Sequence, residues 1–525
     1  MAGFKDPEAM SPAERWTIAL TMLMGSFMAV MDTSVVNVAL PHMIGSFGQD
    51  LSSITWVATA YTIAEIIMVT MSGWWCTLIG RKKLLLVSFT LFTIGSILCG
   101  TATTFTQMII YRVIQGIGGG SLIPLSQAIL RETFPLDQQG MAMSIFGMGV
   151  VLAPALGPTF GGWLTDTYGW PWIFYINIPI CIIGILLIAR FIFDPDYLRR
   201  GVKSIDGLGI ALLAVSLTTM QIVLERGQDK NWFESTQIRV FTAITVLSFL
   251  ALIIWELRCK EPIVNLRILK DKNLALGAVI GLIFGVSLFG TTFILPQFTQ
   301  QLLGYPAFQS GLVLAPRSIT LMLFMPVSGW MFQKVGARPL LFFGIAMISI
   351  SYYGLARLSI QAGFWNLMPT LVIMGIGMPF MFVPLSTVSL STTQRKNMTD
   401  ASALYTLSRR VGGNLGYALA ATLLNRGITA HRMYLASHIS SFSQTTQAYQ
   451  TSLADMLRDL GLNAVAASRL SIAMMEKELV RQATMLAYND VSVVFGCLFL
   501  GLLPFIFLIP GREAIMEVLS RKKRS

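Results

Sequence analysis

Apolar stretches long enough to cross a bilayer recur from one end of the chain to the other, broken by short segments rich in turn residues and charge. A spanning helix takes about 20 predominantly apolar residues. Helices are predicted near residues 16–40, 54–75, 84–102, 107–129, 141–164 and 172–193, then near 206–226, 238–257, 274–299, 310–332, 339–358, 366–389, 401–424 and 489–510. Fourteen spans are an even number, so both termini are expected on one side.

Composition points the same way. Of 525 residues 54% are apolar and 12% charged, and the mean hydropathy of +0.66 excludes a disordered chain and argues against a water-soluble globule. A net charge of +12 would suggest a nucleic-acid partner in a soluble protein. Here the basic residues fall mostly in short connections, as the positive-inside rule explains, and no nucleic acid is expected. The first apolar run, Trp16 to Leu40, is too long for a signal core and lacks a small-residue cleavage site, so it reads as the first span. Cys76, Cys99, Cys181, Cys259 and Cys497 lie in spans or one inner connection and suggest no disulfide framework.

Charge orients the spans. Arg81, Lys82, Lys83, Arg199, Arg200, Lys203, Lys260, Arg267, Lys270, Lys272, Lys334, Arg338, Arg395, Lys396 and the tail Arg521 to Arg524 alternate with connections at 41–53, 103–106, 165–171 and 300–309 that contain no Lys or Arg. The basic loops and both termini are expected in the cytoplasm. The segment 425–488 is polar and assigned to the outer side despite Arg432, Arg458, Arg469, Lys477 and Arg481, because long loops escape the charge rule. Leu453, Met456, Leu457 and Leu460, then Leu470, Met474 and Leu479, have spacings compatible with amphipathic helices, so a helical hairpin is expected there, with an irregular loop as the alternative.

Ser72-Gly73-Trp74 reaches Gly80-Arg81-Lys82 with the spacing by which Ser328-Gly329-Trp330 reaches Gly336-Ala337-Arg338. Both copies sit where a span exits into a basic loop, which suggests two related halves with a site between them. The expected division is 1–200 for the first six-helix half, 201–262 for two extra helices, 263–511 for the second half with the outer segment 425–488, and 512–525 for a basic tail.

Ionisable residues deep in a bilayer are costly, and each is by default a functional candidate. Asp32 lies about 12 Å below the outer end of its span and Arg112 about 9 Å below the same face, at 1.5 Å per residue. A contact between them is geometrically allowed, and protonating Asp32 would break it, as a proton-coupled switch requires; a permanent pair that only fixes helix packing is the alternative. Glu65, mid-span, is a candidate proton acceptor or partner for a cationic ligand, or else a protonated group bonded to a neighbouring helix. Arg317 and the pair Arg409-Arg410 add positive charge in the second half, a surplus that could favour anionic amphiphiles through bidentate pairing, although Arg410, counted near the inner face, could also snorkel. Glu65, Arg317, Asn37, Gln115 and Arg409 are therefore the expected polar groups of a substrate cavity.

Small residues and prolines gather in Gly116 to Gly120 and in Ala153 to Gly162. Glycine lets helices approach closely and proline interrupts the backbone ladder, so Pro154, Gly157, Pro158, Gly161 and Gly162, with Gly73, Gly80 and Arg81, are candidate conformational elements. There is no phosphate loop and no paired-histidine zinc motif, and the only histidines are His42, His431 and His438. No ATPase or hydrolase machinery is legible, and no metal or cofactor is called for.

Met31 to Pro41 resembles the helix-one motif of the EmrB/QacA-type fourteen-helix drug/proton antiporters of the major facilitator superfamily, and the EmrB type most closely, with Met31 and Ser34 replacing the usual Leu and Thr. Tyr111 to Gly116 is similar to the helix-four motif, whose arginine is implicated in proton coupling, and Ala153 to Leu164 resembles the antiporter motif of helix five. Gly73 to Lys83 resembles the superfamily's loop motif, but Thr77 stands where an aspartate is usual. Glu65 matches no acidic position of the EmrB pattern and rests on the physical argument alone.

The resemblance implies an all-α membrane protein of the major facilitator fold, with two six-helix halves and two extra central helices. It implies proton-driven export of hydrophobic drugs, toxic weak acids and uncouplers across the bacterial inner membrane, with Asp32 and Arg112 in the coupling. The segment before the last helix looks like the region by which such pumps meet an EmrA-like membrane fusion adaptor and, through it, an outer-membrane channel. Rival readings are an exporter of an endogenous metabolite such as a siderophore or lipid, and a membrane receptor that has lost transport. An enzyme is disfavoured by the lack of a legible nucleophile and base or metal cluster.

Overall fold

The computed structural model describes residues 10–135, 138–194, 205–440 and 442–509, which leaves Arg199, Arg200, Lys203 and the basic tail outside. All long elements among the described residues are helices. They are α1 (Pro12–Phe47), α2 (Trp56–Ile79), α3 (Arg81–Gly100), α4 (Phe105–Thr133), α5 (Gln139–Tyr168), α6 (Trp172–Phe191), α7 (Gly207–Arg226) and α8 (Thr236–Arg258). The series continues with α9 (Lys272–Leu302), α10 (Ala307–Val335), α11 (Ala337–Leu355), α12 (Phe364–Ser389), α13 (Met398–Ser437), α14 (Gln444–Asp459) and α15 (Ala464–Leu508).

Local sequence explains several boundaries. Ser11 caps α1 in a reciprocal box with Glu14, and Pro12 occupies the first turn, where a missing N–H costs nothing. Gly80 and Gly336, the matching glycines of the internal repeat, both end a helix at positive φ (+87° and +86°) and start the next one immediately. Any side chain there would strain the backbone. In α5 the parts Gln139–Pro154 and Thr159–Tyr168 meet at 52°, with Pro154 and Pro158 at the bend.

Twelve described helices are long and apolar enough to cross a bilayer, and thirteen if bent α5 is one span. The remaining long helix, α13, carries Asp400, Arg409, Arg410 and Asn414 along its buried stretch, which lowers its apolarity. It is nevertheless packed along α9, where Gly412 and Gly416 leave no room for a side chain against the backbone of Leu282 and Val286.

The first six helices pack mainly through α1 on α5 and through α2 and α3 on α4; the last through α9 on α13 and through α10 and α11 on α12. Helices α7 and α8 pair with each other, and α7 also touches α2 and α13. The two groups meet through α5 on α10 and α2 on α13.

The segment 425–488 is helical. α13 runs on to Ser437, α14 is a separate amphipathic helix, and the returning arm is the first part of α15. Ala454 and Leu457 of α14 are buried in its packing on α15. The projection is thus a continuation of two long helices with one helix added, rather than an independent hairpin. His431 with Asp490 (2.6 Å) and Arg432 with Glu476 (2.7 Å) join its two long arms.

Candidate functional site

The deepest charge lies in the first group. Arg112 is fully buried and Asp32 is 3% exposed, although 80 residues separate them. Arg112 Nη1 donates to Asp32 Oδ2 at 2.6 Å and to Gln115 Oε1 at 2.6 Å, and its Nε donates to the Val57 carbonyl at 2.9 Å. Gln115 Nε2 donates to the other carboxylate oxygen at 2.7 Å, and Asn177 Nδ2 to the same oxygen at 3.2 Å. Ser96 Oγ accepts from both amides. The guanidinium carbon stands 4.3 Å from the centre of the Tyr61 ring. One carboxylate is therefore held by a guanidinium and two neutral amides, drawn from α1, α4 and α6. Protonating it removes the charge that all three donors address, which would loosen α4 and α6 from α1 together.

The seat for this cluster is built by glycine. A Cβ on Gly116 would lie 2.5 Å from the Tyr61 carbonyl, and one on Gly120 2.5 Å from that of Glu65, so α4 can sit directly on α2 only with glycine at both places. Gly157 fits against Ser34, whose hydroxyl donates to the Pro154 carbonyl at 3.1 Å, and Gly161 packs on Val35.

A second buried pair joins the two helix groups. Arg410 Nη2 donates to Glu65 Oε1, with Glu65 1% exposed. Arg410 does not snorkel. It lies deep in α13 and lines a cavity of about 640 Å³ between the groups, whose wall also includes Thr33, Asn37, Thr59, Phe289 and Tyr417. Thr33, Asn37, Thr59 and Phe289 belong to the halves of their helices farthest from the basic loops, and Arg410 and Tyr417 lie towards the middle of α13.

Among the residues expected in a substrate cavity, Asn37 lines this one and Glu65 stands behind Arg410. Gln115 is not in the wall, because its amide is committed to Asp32. Neither are Arg409 and Arg317. Both are 2% exposed, and Arg409 lies 5.2 Å from the centre of the Phe382 ring, stacked in the packed interior of the second group. The expected guanidinium surplus is thus absent from the wall, where the one arginine is neutralised by Glu65. Sequence reasoning also missed Ser96 and Asn177, which carry no motif, and Glu225, which lines the same cavity from α7.

The basic end is closed. Arg81 is buried, pairs with both oxygens of Glu132, and its Nε donates to Thr399 Oγ1 at 3.2 Å on the other group. Asp400 fills the space where Gly73 lacks a side chain, so a carboxylate from α13 stands beside the last turns of α2, in which Thr77 stands in place of the motif's aspartate. Ser402 Oγ donates to the Pro124 carbonyl at 2.8 Å, and the Phe146 and Phe382 rings stack across the groups at 6.1 Å. Gly140 and Gly329 bring α5 and α10 together backbone to backbone.

A Cβ on Gly140 would meet the Gly329 carbonyl at 2.7 Å. Gly140→Val is therefore expected to destabilise this closure by about 1–3 kcal/mol. Faster maleimide labelling of a cysteine introduced at Ser402, in membranes with the basic face exposed, would report it; unchanged labelling would mean that the two helices part elsewhere.

The Major Facilitator Superfamily matches residues 22–417. The chain belongs to that superfamily. Its fold agrees: the proton:xylose symporter XylE of E. coli superposes with a TM-score of 0.59 at 14% identity, covering 97% of this chain and all of that one. Among superfamily members, the multidrug export protein EmrB of Escherichia coli K12 is 32% identical over 94% of each chain. The fatty acid resistance protein FarB of Neisseria gonorrhoeae is 30% identical, over 96% of this chain and 97% of its own. This superfamily member is a multi-pass protein of the bacterial inner membrane.

Proposed function

We propose that the chain is a proton-coupled antiporter that exports lipophilic small molecules, drugs and toxic weak acids or uncouplers among them, and is not an enzyme. The basic end faces the cytoplasm with both termini, α13 crosses the membrane as well and brings the spans to fourteen, and the conformation described is outward-facing. Residues up to about 200 and from about 263 form the two moving halves, with α7 and α8 between them.

The observation that carries this reading is the Asp32–Arg112 pair, sealed from water yet next in sequence to Thr33, which lines a cavity closed at the basic end. A proton arriving from the outer side neutralises Asp32, its three donors lose their common acceptor, and α1 moves relative to α4 and α6. Rocking about the α5–α10 and α2–α13 contacts then exchanges the open end. The test is efflux from proteoliposomes: an imposed pH gradient drives substrate, and substrate addition moves protons.

The projection formed by α14 and the ends of α13 and α15 is proposed as the docking face for an EmrA-like adaptor with its outer-membrane channel. Phe442 is 91% exposed and Leu460 74%, at the turns on either side of α14. Phe442→Asp with Leu460→Asp is expected to cut adaptor co-purification by about tenfold while leaving transport by the isolated protein in vesicles unchanged. Equal loss of both would place these residues in the transport cycle instead.

A further inference from the structure

We propose that Gln127, Arg131 and Thr406 are positioning residues that oppose the closure of the basic end: each holds a polar group there that gains a partner only when the two halves part and water enters. The proposal rests on the reading that the halves rock, and it concerns the balance between the two open forms.

The placement follows from the helices. Gln127 and Arg131 stand one turn apart near the end of α4, and Ser402 and Thr406 one turn apart near the start of α13, so each pair shares a helix face. Ser402 sets the two faces against each other. Its Oγ stands 2.8 Å from the Pro124 carbonyl and 2.9 Å from Gln127 Oε1.

Around this contact polar groups lack partners. Gln127 and Thr406 are fully buried, and Arg131 is 5% exposed. Gln127 Nε2, the other end of the amide that meets Ser402, has no hydrogen-bond partner among the described residues, and neither have Arg131 Nη1 and Thr406 Oγ1. Arg131 forms no ion pair with a described residue, and the adjacent Glu132 is committed to Arg81. Every residue of α4 from Leu122 to Thr133 is buried, so the closed form offers these groups no solvent. A buried donor without an acceptor costs free energy that a hydrated one does not, and a lone guanidinium costs more than a neutral group.

Opening the basic end separates α4 from α13 and brings the three groups to water. Closure is favoured by the backbone approach of Gly140 and Gly329, the stacked Phe146 and Phe382 rings and the Arg81–Thr399 bond. Set against these contacts, the three groups keep the two forms close in free energy. That is the condition for a single proton or bound molecule to tip the exchange.

The experiment uses the full-length protein in membranes with the basic face exposed, with Ser144→Cys on α5 as reporter. Ser144 is fully buried against Gly329, and its hydroxyl bonds within its own helix. Maleimide labelling is read over the background of the native cysteines. Thr406→Val, Gln127→Met and Arg131→Met each remove the unpartnered group, and each is expected to slow reporter labelling by about tenfold and to raise the unfolding temperature. Ser402→Ala, one turn earlier on the same face as Thr406, removes a bonded group and is expected to do the reverse, while Thr406→Ser labels as wild type does. Faster labelling with a lower unfolding temperature in the apolar variants shows the groups to be bonded in the closed form and overturns the proposal, as does unchanged labelling in all three. Where Arg131→Met does not fold, Thr406→Val, an exchange of hydroxyl for methyl, decides by the same two readouts. Slowed labelling in a protein that moves no substrate under a pH gradient upholds the balance of forms and removes only the antiporter reading. A reporter that labels at no pH, wild type included, sinks the rocking reading and this proposal with it.

Discussion

Asp32→Asn is expected to abolish gradient-driven efflux, lowering it at least a hundredfold while substrate binding to the purified protein survives. The reason is stoichiometric: Arg112 Nη1, Gln115 Nε2 and Asn177 Nδ2 all donate to one carboxylate. An amide offers one oxygen to these donors and turns its own N–H groups toward a guanidinium left with only the neutral acceptors Gln115 Oε1 and the Val57 carbonyl. Breaking a buried ion pair by removing one partner typically costs about 3–5 kcal/mol, so a lower unfolding temperature should accompany the loss. Asp32→Glu keeps the charge and should recover part of the gradient response. Exchange of substrate across the membrane at equal pH separates the two roles: it continues in Asp32→Asn if the residue couples protons, and stops if the residue only holds the helices. Normal gradient-driven efflux by Asp32→Asn would remove the residue from the coupling step.

That pair was legible before folding because both residues lie at a countable distance from the same span ends, and their depths agree. Helix positions were legible for the same reason, since bilayer thickness converts apolar length directly into a span. The second pair was not. Taking α13 as 401–424 put Arg410 near a membrane face, whereas the helix begins at Met398 and continues to Ser437. Arg410 then lies twelve residues in, about 18 Å from the basic end at 1.5 Å per residue. Glu65 lies fourteen residues from Ile79 at the same end, about 21 Å. Starting the helix at 401 instead of Met398 took three residues, about 4.5 Å, off the depth of Arg410 and concealed the match. Glu225 was illegible for a different reason: in the last turn of α7 an acid looks like an ordinary helix end, and only the packing of α7 between α2 and α13 turns it inward.

The arginine surplus shows where counting charge fails. Arg112, Arg317, Arg409 and Arg410 all lie within spans, but only Arg410 reaches the cavity. Arg409 rests against the rings of Phe382 and Tyr405, and Phe382 itself stacks on Phe146 at the closed junction of the two groups. Charge along the chain does not say which guanidinium faces space and which is stacked in a packed interior.

Arg410 and Glu65 should respond unequally to substitution. Glu65 is 1% exposed and has no water to turn to, whereas Arg410 lines the cavity and can be solvated from it. Arg410→Gln strands the carboxylate and is expected to destabilise the outward-facing form by about 3–5 kcal/mol, with transport falling more than tenfold. Glu65→Gln frees a guanidinium into the wall, should cost less, and should raise the efflux of carboxylate-bearing compounds relative to neutral ones. The pair is also a contact between α2 and α13, so the double variant Glu65→Gln with Arg410→Gln should be better folded than Arg410→Gln alone. Thermal unfolding of the three variants gives the coupling between the two positions directly. The opposite order, with Glu65→Gln the more damaging and gradient-driven transport lost in it, would make Glu65 a proton carrier in its own right rather than the anchor of Arg410.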